Sequence, residues 1–348
     1  MQQKKHWRIL KMTLKKKVII PIFIPHKGCP FDCVFCNQKS ISGETKDVTT
    51  QDITNTIDTF LQTIDKQIIP QVAFYGGSFT GIDIKEQTKF LECVYEYVKK
   101  GKVSSIRLST RPDYINHDIL TNLKKYGVST IELGVQSLNP EVLKLSHRGH
   151  TVSDVKNAVK LIKEYGFSLG IQTMIGLLGD TRDSAIDTAK QVVEMKPDCV
   201  RIYPTMVIKN TYLNTLLKQG KYVPLTLEEA VSICADLCEI YYRNNINVIR
   251  IGLQPTDNIT EGKDVVGGPF HPSMRQLVEE RLFRTRIEQE IVKKGLKEHL
   301  DVYVDDRYIS QVVGQKKTNK KYFRDKFGIR RIKVHGIKEK GFDYLRVQ

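Results

Sequence analysis

Short apolar runs rich in β-branched residues recur along the chain, and after each one apolar positions fall three and four apart. The runs VIIPIFI (18–24), QVAFY (71–75), SIRLS (105–109), TIELG (130–134), LGIQTM (169–174) and CVRIY (199–203) predict six strands, and NVIRI (247–251) is a candidate seventh. Between them, QDITNTIDTFLQTID, EQTKFLECVYEYVKK, DYINHDILTNLKKYG, TVSDVKNAVKLIKEYG and RDSAIDTAKQVVEM predict amphipathic helices. Gly101, Gly127 and Gly166 stand where C-capping glycines belong. Alternating strands and helices need crossover connections, so the sheet should be parallel. An α/β chain of this kind closes into a partial (β/α) barrel or opens into a doubly wound sheet, and the pattern allows both.

The rhythm changes after Gly267-Gly268-Pro269. A long charged helix is expected over about 273–294, followed by the strand DVYVD, the segment RYISQVVG, a basic helical stretch and the strand RRIKVHGI. The expected division is a basic arm (1–17), a core (18–266) and a C-terminal helix with a small α+β extension (267–348).

The chain has 348 residues, 40% hydrophobic and 27% charged, with material for a large core. It contains no apolar run of about 18 residues, and no apolar segment with a cleavage site follows the basic N-terminus, so a cytoplasmic address without membrane contact is expected. The net charge of +16 lies at the two ends: +7 over residues 1–17, +9 over residues 314–348, and zero between. If both ends fold onto one face, that face suits a polyanion such as RNA; otherwise they are a solvated lysine-rich surface.

Three of the seven cysteines, Cys29, Cys33 and Cys36, fall in HKGCPFDCVFC (26–36). Thiols in a reducing compartment favour a metal or cluster over a disulfide framework. Thiolates are soft ligands for zinc or iron–sulfur clusters. A structural zinc site takes four ligands. The local candidate for a fourth is His26, and the remote ones are Cys93, Cys199, Cys234 and Cys238, which read as buried inert thiols within helices and a strand.

Cys29-x3-Cys33-x2-Cys36 after the first strand of a βα-repeat chain resembles the signature loop of the radical S-adenosylmethionine (SAM) enzymes. The resemblance implies a partial (β/α)6 TIM-like barrel with a small basic α+β extension, and a [4Fe-4S] cluster held by three thiolates whose fourth iron takes SAM. It further implies reductive cleavage of SAM to methionine and a 5'-deoxyadenosyl radical that abstracts hydrogen from substrate. Electrons would come from a partner such as flavodoxin or ferredoxin. On the same resemblance Phe35 packs near adenine, and Gly76, Gly77 and Ser78 in FYGGSFTG (74–81) match the glycine motif near the methionyl amine, where many relatives carry Glu in place of Ser78. Ser109 in LSTRPD (108–113) stands where relatives offer the SAM ribose a carboxylate.

The stretch ELGVQSLNPEVLKLSHRGHT (132–151) resembles the subgroup containing oxygen-independent coproporphyrinogen oxidase and the Elongator catalytic subunit. By that resemblance Gln136 and Arg148 contact the cofactor, and Gln172 takes a position that is acidic in the porphyrin enzyme. RIYPTMVIKNTYLNTLLKQGKYVPLTLEEAV (201–231) favours the Elongator side, and the likeness spans roughly residues 18–255. Elongator relatives also carry an acetyltransferase domain, for which this chain stops too soon. The reading is a radical SAM enzyme with tRNA or another RNA as substrate; the alternatives are a radical enzyme for a small molecule or peptide and a zinc-stabilised RNA-binding protein.

Two further segments are candidates. GLQPTDNITEG (252–262) with GGPFHPSMRQLVEE (267–280) reads as a loop at the barrel mouth presenting Gln254, Asp257 and His271, or as a domain junction. ISQVVGQKKTNKKYF resembles an RNA-binding glycine loop between helices, with Lys317 in place of a second glycine.

Overall fold

A computed structural model describes residues 18–24, 29, 33–37, 47–253, 259–260, 262–338, 340–342 and 344–348. The basic arm, His26, Gln254 and Asp257 lie outside the described residues.

The main sheet has seven parallel strands in order of sequence, curled into a half-barrel. They are β1 (Ile19–Phe23), β2 (Gln71–Tyr75), β3 (Ile106–Thr110), β4 (Val128–Gln136), β5 (Ser168–Ile175), β6 (Cys199–Pro204) and, beyond a two-residue strand β7 (Val207–Ile208), β8 (Asn247–Ile251). The candidate seventh strand therefore joins the sheet, beside β6. The helices between strands are α1 (Thr50–Thr63), α2 (Ile84–Lys99), α3 (His117–Lys125), α4 (Pro140–Leu145), α5 (Val152–Glu164), α6 (Arg182–Glu194), α7 (Tyr212–Lys218) and α8 (Leu227–Arg243).

Local signals account for the helix ends. Thr49, Thr151, Thr181 and Thr226 each close a capping box with Asp52, Asp154, Ser184 and Glu229 three residues on, so orphan amide donors are satisfied at both positions. Gly101, Gly127 and Gly166 adopt left-handed φ just past α2, α3 and α5, as expected of C-capping glycines. One side of the sheet packs residues such as Val72, Leu108, Ile131 and Ile171 in a single core with the helices. The other side carries the polar residues of the half-barrel interior.

A short strand β9 (Val265–Gly267) pairs antiparallel with β7. Helix α9 (Met274–Lys294) then serves two cores. Met274, Val278 and Leu282 pack into the main one, while Phe283, Ile287 and Ile291 pack under a second sheet. That sheet has β10 (His299–Asp305) at its centre, parallel to β11 (Arg331–Ile337) and antiparallel to β12 (Leu345–Val347). Between β10 and β11 come α10 (Ile309–Val313) and α11 (Thr318–Phe327). Among the described residues no helix is long and apolar enough to cross a membrane.

Candidate active site at the mouth of the half-barrel

The site is built where parallel strands end and their loops gather, as in other βα barrels. β2 runs out through Tyr75 into Gly76, whose φ is +82°. A Cβ at Gly76 would stand 2.9 Å from the carbonyl oxygen of Ile24, so the loop after β2 approaches the end of β1 to a distance that only glycine permits. The cysteine loop continues from this end of β1. Its Val34 donates its amide to the carbonyl of Ser146 (3.2 Å) and accepts from the amide of Leu213 (2.7 Å), which ties the loop to the residue after α4 and to the first turn of α7.

Cys33 is buried, and Cys29 and Cys36 are half-buried. Arg148, also buried, points one guanidinium nitrogen at the Cys33 sulfur (3.3 Å) and donates the other to the Gly134 carbonyl (2.6 Å). Arg111 donates to the Arg148 carbonyl (2.6 Å) and to both oxygens of Asp113 (3.0 Å each), and it lies within electrostatic reach of Cys29 and Cys33. Cys33 thus has two buried guanidiniums beside it, one of which also reaches Cys29 electrostatically. Beside them His150 is 4% exposed. Burial, then the charges of Arg148 and Arg111, push its pKa down to about 3, so the imidazole is neutral at neutral pH.

Gln136 ends β4 with φ +68° where the β4–β5 register shifts, and a bulge of this kind re-aims a side chain at the rim of a barrel. Its side chain and that of Arg148 crowd over Gly134: a Cβ there would meet Gln136 Nε2 at 3.1 Å and Arg148 Nη2 at 3.5 Å. Gln136 Oε1 and Arg148 Nε are buried with no hydrogen-bond partner among the described residues. A buried acceptor and donor left open is costly unless a ligand completes them. An ammonium and a carboxylate, as on the methionyl end of SAM, are the matching groups. With soft sulfur donors beside them, these residues fit a cluster and SAM. Among the described residues no three Cys, His, Asp or Glu side chains stand together as a formed metal site, so the ligand assignment rests on the thiol spacing and its cationic surroundings.

Below the mouth, five strands contribute to one polar network. Glu132 on β4 is 1% exposed and accepts from Arg201 on β6 (Nε 2.5 Å, Nη2 3.0 Å) and from Arg107 on β3 (2.7 Å). Arg201 also donates to the Tyr75 hydroxyl (2.9 Å), and Gln172 on β5 donates to Glu132 (3.4 Å). β5 passes Glu132 with Gly170, where a Cβ would stand 2.7 Å from the Glu132 side chain. Burial alone would raise the Glu132 carboxyl, but Arg201 and Arg107 outweigh it and hold the group below the usual carboxylate range.

The structure therefore places Cys33, Gly76, Gln136 and Arg148 at the strand-end mouth, and the other expected residues have partners of their own. Ser78 is buried as an internal bridge, bonded to Thr110 (2.8 Å) and accepting from the Arg111 amide (3.2 Å). The Ser109 hydroxyl donates to the Phe74 carbonyl (3.4 Å), and Gln172 turns into the interior network. Gly77 continues the turn after Gly76 with φ +42°. Phe35 packs against the small apolar cluster of Val34, Val207, Leu213, Leu216 and Tyr222. His271 accepts from the Ser273 amide (3.1 Å) at the start of α9. Burial pushes the thiol of Cys199 up to about 11 and raises those of Cys93, Cys234 and Cys238, as for inert thiols. Arg111, His150, Arg107, Glu132 and Arg201 escaped the sequence reading. The available signal was a charged residue at an inward position of an otherwise apolar strand, as in SIRLS, TIELG and CVRIY.

The model of the radical SAM superfamily matches residues 23–192, and that of the radical SAM C-terminal domain matches residues 197–284. The chain belongs to the radical SAM superfamily and is a radical SAM enzyme, a class whose cofactors are SAM and an iron–sulfur cluster. Within it the chain is similar to a tRNA uridine(34) acetyltransferase of Methanocaldococcus jannaschii, 28% identical over 64% of this chain and 48% of that protein. It is also similar to Elongator complex protein 3 of Saccharomyces cerevisiae, 32% identical over 46% of this chain and 28% of that protein. The solved Elp3 of Methanocaldococcus infernus, lacking its first 46 residues, shares the fold with a TM-score of 0.58 and 22% identity over 80% of this chain and 63% of that one. The chain spans about half the length of the first of these relatives.

Proposed function

We propose that this enzyme uses Cys29, Cys33 and Cys36 to hold a [4Fe-4S] cluster, cleaves SAM reductively there, and acts on tRNA or another RNA. The observation that carries the first part is the convergence of the Arg148 guanidinium on Cys33 and, with Gln136, over Gly134. When bound, the cluster and SAM supply reductive cleavage of the sulfonium and a 5'-deoxyadenosyl radical that takes a hydrogen atom from substrate. Arg148 and Arg111 place positive charge against the thiols. Gln136 and Arg148 offer the open acceptor and donor to a zwitterion, and Gly76 lets the loop after β2 pack against the end of β1 from which the cysteine loop continues. His150, neutral at working pH, adds no third charge. The apolar packing of Val34 and Phe35 on Val207, Leu213, Leu216 and Tyr222 lines the cysteine loop with the kind of surface that limits water at a radical site.

The RNA reading is supported by similarity to a protein named for tRNA uridine 34 and by the basic C-terminal stretch. The test is anaerobic reconstitution followed by iron, sulfide and zinc analysis and a SAM-cleavage assay with dithionite. About four irons and four sulfides per chain, with 5'-deoxyadenosine formed on reduction, are expected. Cys29→Ala, Cys33→Ala and Cys36→Ala should each lose the cluster. Stoichiometric zinc without sulfide, or full iron in any of these variants, would refute the assignment.

A further inference from the structure

The proposed reaction leaves the C-terminal unit without a task. β10, α10, α11 and β11 make a βααβ unit whose two strands are parallel neighbours. One face of its sheet packs Leu300, Val302, Val304 and Ile332 against Phe283, Ile287 and Phe323. Residues 314–348 carry twelve Lys and Arg against Asp325, Glu339 and Asp343. Four of these cations have internal tasks: Lys326 pairs with Glu288, Lys320 donates to the Ile332 carbonyl (3.2 Å), and Arg346 and Lys340 lie over the rings of Tyr303 and Tyr344. Lys316, Lys317, Lys321 and Arg324 are exposed, and no ion pair among the described residues engages them.

These four make one basic row in sequence, from the turn into α11. The turn between α10 and α11 holds Lys316 at φ +50° and Lys317, the N-cap of α11, at φ +63°, and within α11 Lys321 and Arg324 stand at i and i+3, neighbours on one helix face. Asp325, which flanks the row, is the only acid of α11. The turn is held from beneath by Asn319, 2% exposed, whose amide donates to the carbonyls of Glu280 (3.0 Å), Gln311 (3.1 Å) and Val312 (3.2 Å). The opposite face of the sheet differs. There the Arg346 guanidinium lies 4.1 Å over the Tyr303 ring, His335 stacks on that ring at 4.6 Å and bonds Asp301 (2.6 Å), so these groups are engaged with one another.

We infer that the Gly314–Lys317 turn, with Lys321 and Arg324, grips the phosphodiester backbone of a single-stranded segment of the RNA substrate. The inference rests on the RNA reading above. Four cations against one acid supply the charge complementarity. The row from Lys317 to Arg324 is only about 10 Å long at 1.5 Å per residue, enough for a few phosphates of one strand and too short for the two grooves a duplex reader spans.

The test measures anisotropy of a labelled single-stranded RNA of about 20 nucleotides, of mixed sequence, titrated with reconstituted holoenzyme over a range of salt. The first variant combines Lys316→Asn, Lys317→Asn and Lys321→Gln; asparagine tolerates left-handed φ, so the turn is preserved. The second removes the same charge elsewhere: Arg331→Gln, Lys333→Gln and Lys338→Gln. The first should bind RNA at least about tenfold more weakly near 0.15 M salt, with its log–log salt slope reduced by about 2, three contacts at about 0.7 each. The second should stay near wild type, and SAM cleavage without RNA should be unchanged in both. If wild type binds RNA and the first variant binds equally well, the inference falls and the RNA reading stands. Equal loss in both variants would reveal a net-charge effect and also overturn it. Displacement of the RNA by polyglutamate at equal charge would assign the row to an acidic polypeptide instead. No RNA binding by wild type would remove both the RNA reading and this surface.

Discussion

Replacing Glu132 by Gln tests the interior of the half-barrel most directly. The side chain keeps its shape and loses its charge, leaving Arg107 and Arg201, each with a side chain about 10% exposed, facing one another without a counter-ion. Breaking a buried ion pair by removing one partner typically costs about 3–5 kcal/mol, because the remaining charge has neither water nor a partner. At about 2.1 cal/mol/K of unfolding entropy per residue, 1 kcal/mol shifts the midpoint of a 348-residue chain by about 1.4 °C, so the thermal midpoint should fall by about 4–7 °C. The pH dependence supplies a second readout. Because the two guanidiniums hold the Glu132 carboxyl below its ordinary value of 4.5, its contribution is fully present above that pH and is lost as pH falls through the folded value. The gap between wild type and Glu132→Gln should therefore narrow below pH 4.5. Chemical denaturation at pH 7 and pH 3.5 measures both effects. A loss under about 1 kcal/mol at pH 7, or a gap that widens in acid, would show that Glu132 is not the counter-ion of a desolvated pair.

Three other outcomes are expected. Gly76→Ala forces a Cβ to within 2.9 Å of the Ile24 carbonyl oxygen at φ +82°, so denaturation should show a loss of about 1–3 kcal/mol; an unchanged midpoint would mean that the β1 and β2 ends do not approach as described. His150, with a folded pKa of about 3, stays neutral in the fold and protonates in the unfolded chain, so its share of stability is complete above pH 6.5 and drains away towards pH 3, reaching about 2 kcal/mol at pH 5. In the metal-free protein His150→Gln should flatten that slope, and parallel profiles for the two proteins would contradict the burial argument. Asn319→Ala strips a shared donor from three carbonyls beneath the α10–α11 turn and should cost about 1–3 kcal/mol, with hydrogen exchange accelerating in α10 and α11 first. Uniform exchange changes across the half-barrel would argue against so local a role.

The strands and helices of the half-barrel were legible because each satisfies a local rule. β-branched runs such as QVAFY have nowhere to put their apolar faces except a sheet, and threonine capping boxes and left-handed glycines punctuate the helices between them. The cysteine triplet was legible because three thiols within eight residues serve few other purposes. The β7–β9 pair and β12 were not, since two- and three-residue strands carry no periodicity to read.

Within the site, the split follows the same line. The chain alone determined the order of strands, the thiol spacing and the location of the surplus charge, because these are properties of neighbours in sequence. Only the tertiary structure decided that Arg148, 115 residues from Cys33, meets its sulfur, and that Gln136 is turned by a bulge to stand over Gly134 with its carbonyl oxygen open. It also decided that Ser78 and Gln172 bond to Thr110 and Glu132 inside the protein. Buried hydrogen bonds and ion pairs depend on which strand ends face each other across the curl of the sheet. That is set by register and packing over the whole chain, and no short stretch of residues specifies it.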